Sequence, residues 1–390
     1  MEMNEKLKNF LSATALVIDD EIVDKNSTIS GIVSKLEQQG TLFIKQRELL
    51  ESIDSISNIA FIVLDWDLIK KEEKDDLPEG VSLGATLLEN QKSKIRDFIK
   101  DVIGKYFIPI FIFTQENIGS IKEYLENEAV IKEAISKNRV YVCSKSDLQD
   151  EQVIVSLNEW LNNSMTVYTY KIMEEAIESA KHRYFNEMFA CDLNWPCLVY
   201  QTLKADNPVD INSDFQEFLM TSFTSTIEPI SFNSSGFEKT VTLESSEIVK
   251  IFGKIKYLSY DNQTNVGLHS GDIYINADGE KTEYMINVSA ACDMRNKRCY
   301  FVFGEEVSSP RKHDIVYTYT VKRILDKQGI EFHLNDAQLI DIAEANQITI
   351  TRQSAKKVYN RIGRLLNPYI SGLQNKYSDY ITRVGALREP

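Results

Sequence analysis

The feature that most constrains the fold is Ala60 to Asp65, a run of five apolar residues that ends abruptly in the carboxylates of Asp65 and Asp67. A short apolar run rich in β-branched and aromatic residues is typical of a strand buried on both faces, as in a parallel sheet covered by helices. In open α/β sheets, ligands bind beyond the carboxyl ends of the strands. Asp65 is therefore expected where such a fold carries out its chemistry.

Similar apolar runs alternate with segments of helical spacing through the first 150 residues. The predicted strands cover 14–18, 42–44, 60–65, 108–113 and 140–143. The predicted helices cover Ile22 to Gln39, Glu48 to Ile56 and Leu83 to Ile103, and the charged run Lys70 to Gly80 indicates a surface loop. Right-handed crossovers place the carboxyl ends of parallel strands on one edge. The alternation thus predicts an α/β fold, with a doubly wound five-stranded parallel sheet.

Acidic, hydroxyl and basic residues follow four of these strands. They are Asp19 and Asp20 after the first strand, Asp65 and Asp67 after the third, Thr114 after the fourth and Lys145 after the fifth. Carboxylates that converge on one edge repel each other unless a cation or a proton intervenes. A hard divalent ion such as Mg²⁺ suits oxygen ligands of this kind. The sequence therefore predicts a magnesium site at this edge.

These positions resemble the receiver domain of two-component response regulators, over residues 13 to about 165. The family has an acidic pair, a phospho-acceptor aspartate, a hydroxyl residue and a lysine in this order. The resemblance implies a flavodoxin-like sheet of order 2-1-3-4-5 and a sensor histidine kinase as partner. It assigns the catalytic roles to Asp65, Thr114 and Lys145, and the Mg²⁺ ligands to Asp19, Asp20, Asp65 and the carbonyl of Asp67. Autophosphorylation and dephosphorylation of the acceptor aspartate are the only enzymatic activity that it implies.

The chain departs from the family pattern near Lys145. Ser146 follows the lysine, where the family usually has proline, and Val142 stands where an aromatic switch residue is common. Tyr141 is adjacent, but the strand period of two predicts that it faces the other way. The signalling switch is therefore expected to differ.

Two other functions use the same residues. Asp65-Trp66-Asp67 is similar to the opening motif of haloacid-dehalogenase-type phosphatases, but in that family the acidic metal pair follows the lysine, whereas Asp19 and Asp20 precede it. The other alternative is a pseudo-receiver that binds partners as a scaffold without being phosphorylated. The receiver interpretation is preferred because all five positions match in order.

After the predicted receiver domain, residues 1–150, the alternation of strand and helix stops. The pattern of residues 151–230 predicts a helical connector that begins with one long helix from Val153 to about Ala190. Two copies of the chain could form a homodimer through this helix. Residues 231–310 predict a small β-rich module, with strands near Val241, Ile273, Tyr284 and Tyr300. Residues 311–390 predict a basic helical carboxyl-terminal region.

The carboxyl-terminal region has a local excess of positive charge. An amphipathic basic helix is expected there, with these basic residues on it: Lys356, Lys357, Arg361 and Arg364. Such a helix could contact nucleic acid or an acidic protein surface. The net charge of −14 for the whole chain argues against general nucleic-acid binding.

A second, weaker resemblance involves short motifs after residue 270. Gly271-Asp272-Ile273-Tyr274, Ala291-Cys292-Asp293-Met294, Gly363-Arg364-Leu365-Leu366 and Pro368-Tyr369-Ile370 resemble the tails of receiver-bearing proteins in bacterial phage-defence operons. The resemblance implies signal transduction in antiviral or stress defence. No catalytic motif is visible after residue 150, so the expected role is a phosphorylation switch for the carboxyl-terminal module or a phosphate sink.

The compartment is predicted from cysteine usage and the absence of membrane signals. Five cysteines without framework spacing fit a reducing environment. The polar segment Met1 to Phe10 lacks a signal-peptide core, and Tyr106 to Phe113 is far shorter than the ~20 residues of a membrane span. A cytoplasmic location without membrane contact is therefore expected.

Overall fold

The structure is a computed structural model of the 390-residue chain. It describes these residues: 5–56, 58–68, 85–148, 152–205, 211–232, 237–238, 244–260, 267–277, 282–290, 294, 298–307, 316–319, 329–352 and 355–382. The predicted loop Lys70 to Gly80 and the predicted strand near Val241 lie outside them. The chain forms two compact units, one of Met1–Arg183 with Ile227–Lys239 and one of Tyr184–Thr226 with Thr240–Pro390.

The first unit is built on a parallel sheet. Its five described strands are β1 (Thr14–Ile18), β2 (Leu42–Gln46), β3 (Ile62–Asp65), β4 (Ile110–Thr114) and β5 (Val140–Ser144), in the order β2-β1-β3-β4-β5. Every residue of β3 and β4 is buried, as expected for strands covered on both faces. The predicted sheet type and strand order are confirmed.

Helices flank this sheet and complete two apolar cores. They are α1 (Glu5–Leu11), α2 (Thr28–Gln38), α3 (Ala85–Lys105), α4 (Ile118–Leu125) and α5 (Ala129–Ser136). One core contains Val63 and Phe111, and the other contains Leu64 and Ile112. Successive strand residues thus enter opposite cores, which is the period of two that a strand requires.

The predicted helix from Glu48 to Ile56 is wrong. The described residues there contain one short 3₁₀ turn, Asp54–Ile56. The backbone N–H of Asp54 donates to the Ser52 hydroxyl at 3.1 Å, and such local bonds compete with a helical ladder. The apolar side chains that suggested a helix still pack on the sheet: Leu49, Leu50 and Ile53.

The connector predicted for residues 151–230 is helical in its described part. It comprises α6 (Gln152–Asn162), α7 (Met165–Cys191), α8 (Trp195–Ala205) and α9 (Ile211–Ser225). The single helix predicted from Val153 to Ala190 is instead divided at Asn163 and Ser164. Pro196 lies in the first turn of α8, where its missing N–H breaks no helical bond. Among the described helices, none is both long and apolar enough to cross a membrane.

The second unit contains an antiparallel sheet of eight described strands. Helix α10 (Ser245–Lys256) leads into β6 (Tyr257–Ser259). The other strands are β7 (Asp272–Asn276), β8 (Glu283–Asn287), β9 (Arg298–Val307), β10 (Val316–Tyr319), β11 (Gly329–Asp341), β12 (Gln347–Arg352) and β13 (Ala355–Leu365). Their order is β10-β11-β9-β8-β7-β13-β12, with β6 paired to β13, and α11 (Tyr369–Thr382) ends the described chain.

Two predictions for the carboxyl-terminal region are wrong. The β-rich module does not end near residue 310, because β10 to β13 continue the same sheet to Leu365. The amphipathic basic helix around Lys356 to Arg364 is strand β13, which pairs with β12 and β7. The helical tail is α11, whose Ile370 and Leu373 are buried in the core of this unit.

A buried ion cluster joins β7 to β13. The carboxylate of Asp272 is fully buried, and it accepts hydrogen bonds from Arg361 Nη1 at 3.0 Å and from Arg364 Nε at 2.9 Å. It also accepts the backbone N–H of His269 at 2.9 Å. A slip of one residue in the pairing would turn these side chains to opposite faces and leave a buried carboxylate unpaired. The cluster therefore fixes the register of the two strands.

Gly271, next to this cluster, occupies a position that tolerates no side chain. Its φ is 86°, and a Cβ would lie 2.4 Å from the carbonyl oxygen of Leu365. We expect Gly271→Ala to lower the free energy of unfolding by about 2–4 kcal/mol, because backbone strain and overpacking add. Gly372→Ala in α11 is the matched control, because no atom outside its chain neighbours and the nearby backbone of its own helix lies within 4 Å of the added carbon. Urea unfolding measures both, and equal midpoints would contradict the prediction.

Candidate functional site

The carboxyl-terminal edge of the parallel sheet gathers five of the residues predicted from the sequence. Asp19 and Asp20 follow β1, Asp65 ends β3, Thr114 ends β4 and Lys145 follows β5. All five are buried, with exposed fractions between 0% and 6%. Polar side chains at the ends of adjacent strands are usually solvated. Their burial at this edge therefore indicates a preformed functional site.

Three carboxylates and one ammonium group form the centre of the site. One carboxylate oxygen from each of Asp19, Asp20 and Asp65 lies within 4.8 Å of the others. Lys145 Nζ donates to Asp19 Oδ2 at 2.7 Å and to Asp65 Oδ2 at 2.9 Å. The single ammonium group of Lys145 thus bonds to two of the three carboxylates, those of Asp19 and Asp65. The described residues contain no other group of three or more potential metal-ligating side chains this close together.

Backbone groups orient two of these carboxylates. The N–H of Glu21 donates to Asp19 Oδ1 at 2.8 Å, and the N–H of Asp67 donates to Asp65 Oδ1 at 3.3 Å. Each aspartate therefore uses one oxygen toward its own loop and the other toward Lys145. The loop after each strand thus holds its aspartate in the orientation that the cluster requires.

Burial controls protonation in this cluster. It raises the pKa of the Asp65 carboxyl to about 7, an effect that Lys145 opposes and the Asp19 carboxylate reinforces. Burial alone would lower the pKa of the Lys145 ammonium group, but Asp65 and Asp19 outweigh it and raise that pKa. The lysine is therefore charged, and without a further cation one carboxyl group takes up a proton close to neutral pH.

Thr114 and Asp67 lie beside this centre. Thr114 Oγ1 accepts the backbone N–H of Glu116 at 2.9 Å, so its hydroxyl hydrogen remains available as a donor. Asp67 is partly exposed, and its carboxylate is not part of the close group of three. The structure thus brings together Asp19, Asp20, Asp65 and Lys145, and leaves Asp67 at the margin.

Sequence reasoning missed Arg47, which follows β2 at the same edge. Its Nε donates to the backbone carbonyl of Asp20 at 3.2 Å and so holds the loop that carries two of the carboxylates. The available signal was a basic residue directly after the second strand, at an edge already predicted to be acidic.

The side chains of β5 before Lys145 alternate between the two cores of the first unit. Val142 is buried in one core, while Tyr141 packs against the other, so the strand period was interpreted correctly. The Ser146 hydroxyl lies 2.7 Å from that of Ser144, in the short 3₁₀ turn Lys145–Leu148. No aromatic side chain occupies the position of Val142, so an aromatic switch at this strand position is absent.

The basic residues predicted for nucleic-acid contact do not form one exposed face. Arg361 and Arg364 bind Asp272, and Lys357 binds Glu283. Lys356 is exposed. The motifs that contain Gly271 and Gly363 thus meet across β7 and β13, as parts of the sheet core.

Comparisons with protein-family models, with curated proteins and with solved structures found no match. The fold and the geometry of the site are therefore the basis for a function. Three buried carboxylates beside a lysine can hold a metal ion, and the same arrangement can present a carboxylate oxygen as a nucleophile.

Proposed function

We propose that Asp65 accepts a phosphoryl group from a phosphohistidine of a sensor histidine kinase, as in response-regulator receivers. The observation that carries the proposal is the bridging of Asp19 and Asp65 by Lys145 within a buried group of three carboxylates. A merely structural turn would not bury so much charge of one sign. The resemblance in residue order supports the same assignment.

We propose Mg²⁺ as the cofactor. Asp19, Asp20 and Asp65 would hold it through carboxylate oxygens, with the carbonyl of Asp67 as a further ligand suggested by the resemblance. A divalent ion would add positive charge among three carboxylates that lie close together. When bound, it would neutralise charge on the oxygens of the transferring phosphoryl group.

Asp65, Lys145 and Thr114 would each have a separate role in the phosphoryl transfer. One Oδ of Asp65 attacks phosphorus in line, and the bond between phosphorus and the donor imidazole nitrogen breaks. The electron pair stays on the imidazole, which takes up a proton. Lys145 would exchange its bond to Asp65 for a phosphoryl oxygen, and the Thr114 hydroxyl would donate to another.

The test is incubation of the purified chain with a small phosphodonor such as acetyl phosphate, followed by intact mass measurement. With Mg²⁺ we expect one phosphoryl adduct, and with excess chelator none. The absence of an adduct, both with the small donor and with the cognate kinase, would favour the scaffold alternative.

The pH dependence of metal binding provides an independent prediction. The pKa of an unfolded aspartate is about 3.9. When folding raises that pKa, the folded state becomes less stable as the pH rises from the unfolded value to the folded one, because the folded protein then loses a proton that it binds more tightly. For Asp65 the window runs from about 4 to about 7. In chelator, the free energy of unfolding is therefore expected to fall from pH 5 to pH 8, and less so in Asp65→Asn. Stabilisation by Mg²⁺ should be larger at pH 8, because the metal competes with the proton; equal stabilisation at both values would contradict the assignment.

Two outputs are proposed for the phosphorylated chain. In one, the added charge switches the second unit, and in the other the receiver is a phosphate sink that sets the threshold of a bacterial stress or phage-defence pathway. The absence of an aromatic residue at Val142 favours the sink. Limited proteolysis and sedimentation before and after phosphorylation distinguish them, since a switch changes tail protection or oligomeric state and a sink changes neither.

The location and further partners also remain proposals. A cytoplasmic protein fits the reduced state of the described cysteines Cys143, Cys191, Cys197 and Cys299. A homodimer through the connector is supported by the exposed side chains of Tyr170, Met173 and Ile177 on α7. Nucleic-acid binding has weaker support, because Lys356 is the one residue of the proposed four that is exposed.

A further inference from the structure

A cavity of about 560 Å³ lies in the first unit at the opposite, amino-terminal edge of the sheet. Elements that contribute to it are α3, α5, the residues before β4 and β5, and the junction of α6 with α7. Its apolar lining includes Ile103, Phe107, Met165 and Val167. This size and lining are typical of sites that bind small organic molecules.

Arg139 supplies an uncompensated positive charge to this cavity. One of its terminal nitrogens donates to the carbonyl of Tyr106, and its Cζ lies 5.0 Å from the centre of the Phe107 ring. Its Nε is buried without a hydrogen-bond partner. Among the described residues, no carboxylate forms an ion pair with Arg139, and burial lowers the pKa of its guanidinium group. The Nε of this half-buried cation therefore lacks an acceptor.

The other charged groups of the lining do not supply that acceptor. Glu133 on α5 lines the cavity, but it forms an ion pair with Lys137, which directly follows that helix. The net charge of the lining is therefore positive, and it comes from Arg139.

Ser164 supplies a second unused donor. It immediately precedes α7, its side chain is 6% exposed, and its Oγ has no hydrogen-bond partner. A serine before a helix normally caps a backbone N–H of the first turn, and here it does not. The first-turn N–H groups of a 27-residue helix carry partial positive charge toward the same space. A buried hydroxyl without a partner is costly unless a ligand supplies one.

We propose that this cavity binds a small amphipathic oxyanion, a phosphate or carboxylate group attached to an apolar or aromatic body. The oxyanion would accept hydrogen bonds from Arg139 Nε and Ser164 Oγ, and the body would lie against Phe107 and Met165. The site is separate from the carboxylate edge and does not depend on phosphorylation of Asp65. A ligand here would join the first turn of α7, the connector helix, to α5 and β5 of the receiver sheet.

Calorimetric titration of the full chain with phenylphosphonate tests the proposal. The carbon–phosphorus bond of this probe does not transfer a phosphoryl group, and excess chelator removes any contribution from a metal at the other edge. We expect saturable binding with a Kd of about 1 mM or tighter. Inorganic phosphate and benzene should each bind more weakly, and titration with benzoate distinguishes a carboxylate from a phosphate preference.

Two variants and one control locate the binding. Arg139→Gln should weaken binding about tenfold or more and Ser164→Ala about threefold to tenfold, as for charged and neutral hydrogen bonds. Lys132→Gln, on the exposed side of α5, should bind as the wild type does. Ser164→Ala should leave the melting temperature of the free protein unchanged or higher, because its hydroxyl makes no bond to lose. No saturable binding, unchanged binding by Arg139→Gln, or a lower melting temperature for Ser164→Ala would each overturn the proposal.

Discussion

Replacing Asp65 with asparagine is expected to abolish phosphoryl incorporation while leaving the fold intact. The amide has the same shape as the carboxylate but no nucleophilic oxygen anion, so no acyl phosphate can form. Incubation with acetyl phosphate and Mg²⁺, followed by intact mass, should show an adduct on the wild type and none on Asp65→Asn. Because Asp65 is one of three crowded carboxylates, the variant should also be at least as stable as the wild type in chelator.

Asp67→Asn is the matched control for this experiment. Asp67 lies two residues further, is partly exposed and stands outside the close group of three, so its variant should still form the adduct. An adduct on Asp65→Asn at the wild-type level would show that the acceptor is another residue. Loss of the adduct in both variants would point to a damaged loop rather than to a missing nucleophile.

Replacing Lys145 with methionine is expected to lower the free energy of unfolding by about 3–5 kcal/mol at pH 8 in chelator. The lysine is 3% exposed and bonds to two buried carboxylates. Its removal leaves these charges without compensation in a water-excluded site. Urea unfolding with and without Mg²⁺ measures the effect. A cation present at about 100 times its Kd should raise the free energy of unfolding by roughly 2.7 kcal/mol.

A surface pair provides the control for Lys145. Lys100 and Glu128 form an exposed ion pair at 3.3 Å, and Lys100→Met should cost less than about 1 kcal/mol. Lys145→Arg keeps the charge and should lose less stability than the methionine variant. If Lys145→Met were no more destabilised than Lys100→Met, the carboxylates would not depend on the lysine, and the electrostatic account of the site would be wrong.

The parallel sheet of the first unit could be predicted from the sequence because its central strands are buried on both faces. Continuous apolar runs such as Ile62 to Leu64 and Ile110 to Phe113 have few alternatives to a central parallel strand. Right-handed crossovers then bring the ends of these runs to one edge. The meeting of Asp19, Asp65 and Lys145 follows from topology and from their positions in the chain.

Details that depend on local hydrogen bonds could not be predicted in the same way. The segment before Ile56 has helical spacing, yet the Ser52 side chain competes for the backbone. Helix α1 was missed because charged residues surround Leu7, Phe10 and Leu11, whose burial depends on a core formed by distant residues. Arg47 was missed because its partner is a backbone carbonyl, so its position after the second strand did not indicate which group it contacts.

Strand β13 was predicted as a helix for a specific geometric reason. Val358, Ile362 and Leu365 are spaced as on one helical face. In the structure, the pairing of β13 with β7 shifts between Arg361 and Gly363. This irregularity interrupts the strand period of two and produces a spacing close to that of a helix. Tyr359 is fully buried, although it does not lie on the helical face that Val358, Ile362 and Leu365 would form.

The ion cluster of Asp272 has a consequence for the order in which the chain is made. Arg364 is 92 residues from its partner Asp272, and β13 pairs with β6, β7 and β12, all of which precede it. A ribosome therefore releases the strands of the first sheet long before the second sheet can close. Until Leu365 emerges, the edge of β7 and the carboxylate of Asp272 have no strand to bind, a state that is open to aggregation. The last of the described strands, β13, is thus the one that joins β7 to β12 and closes the second sheet.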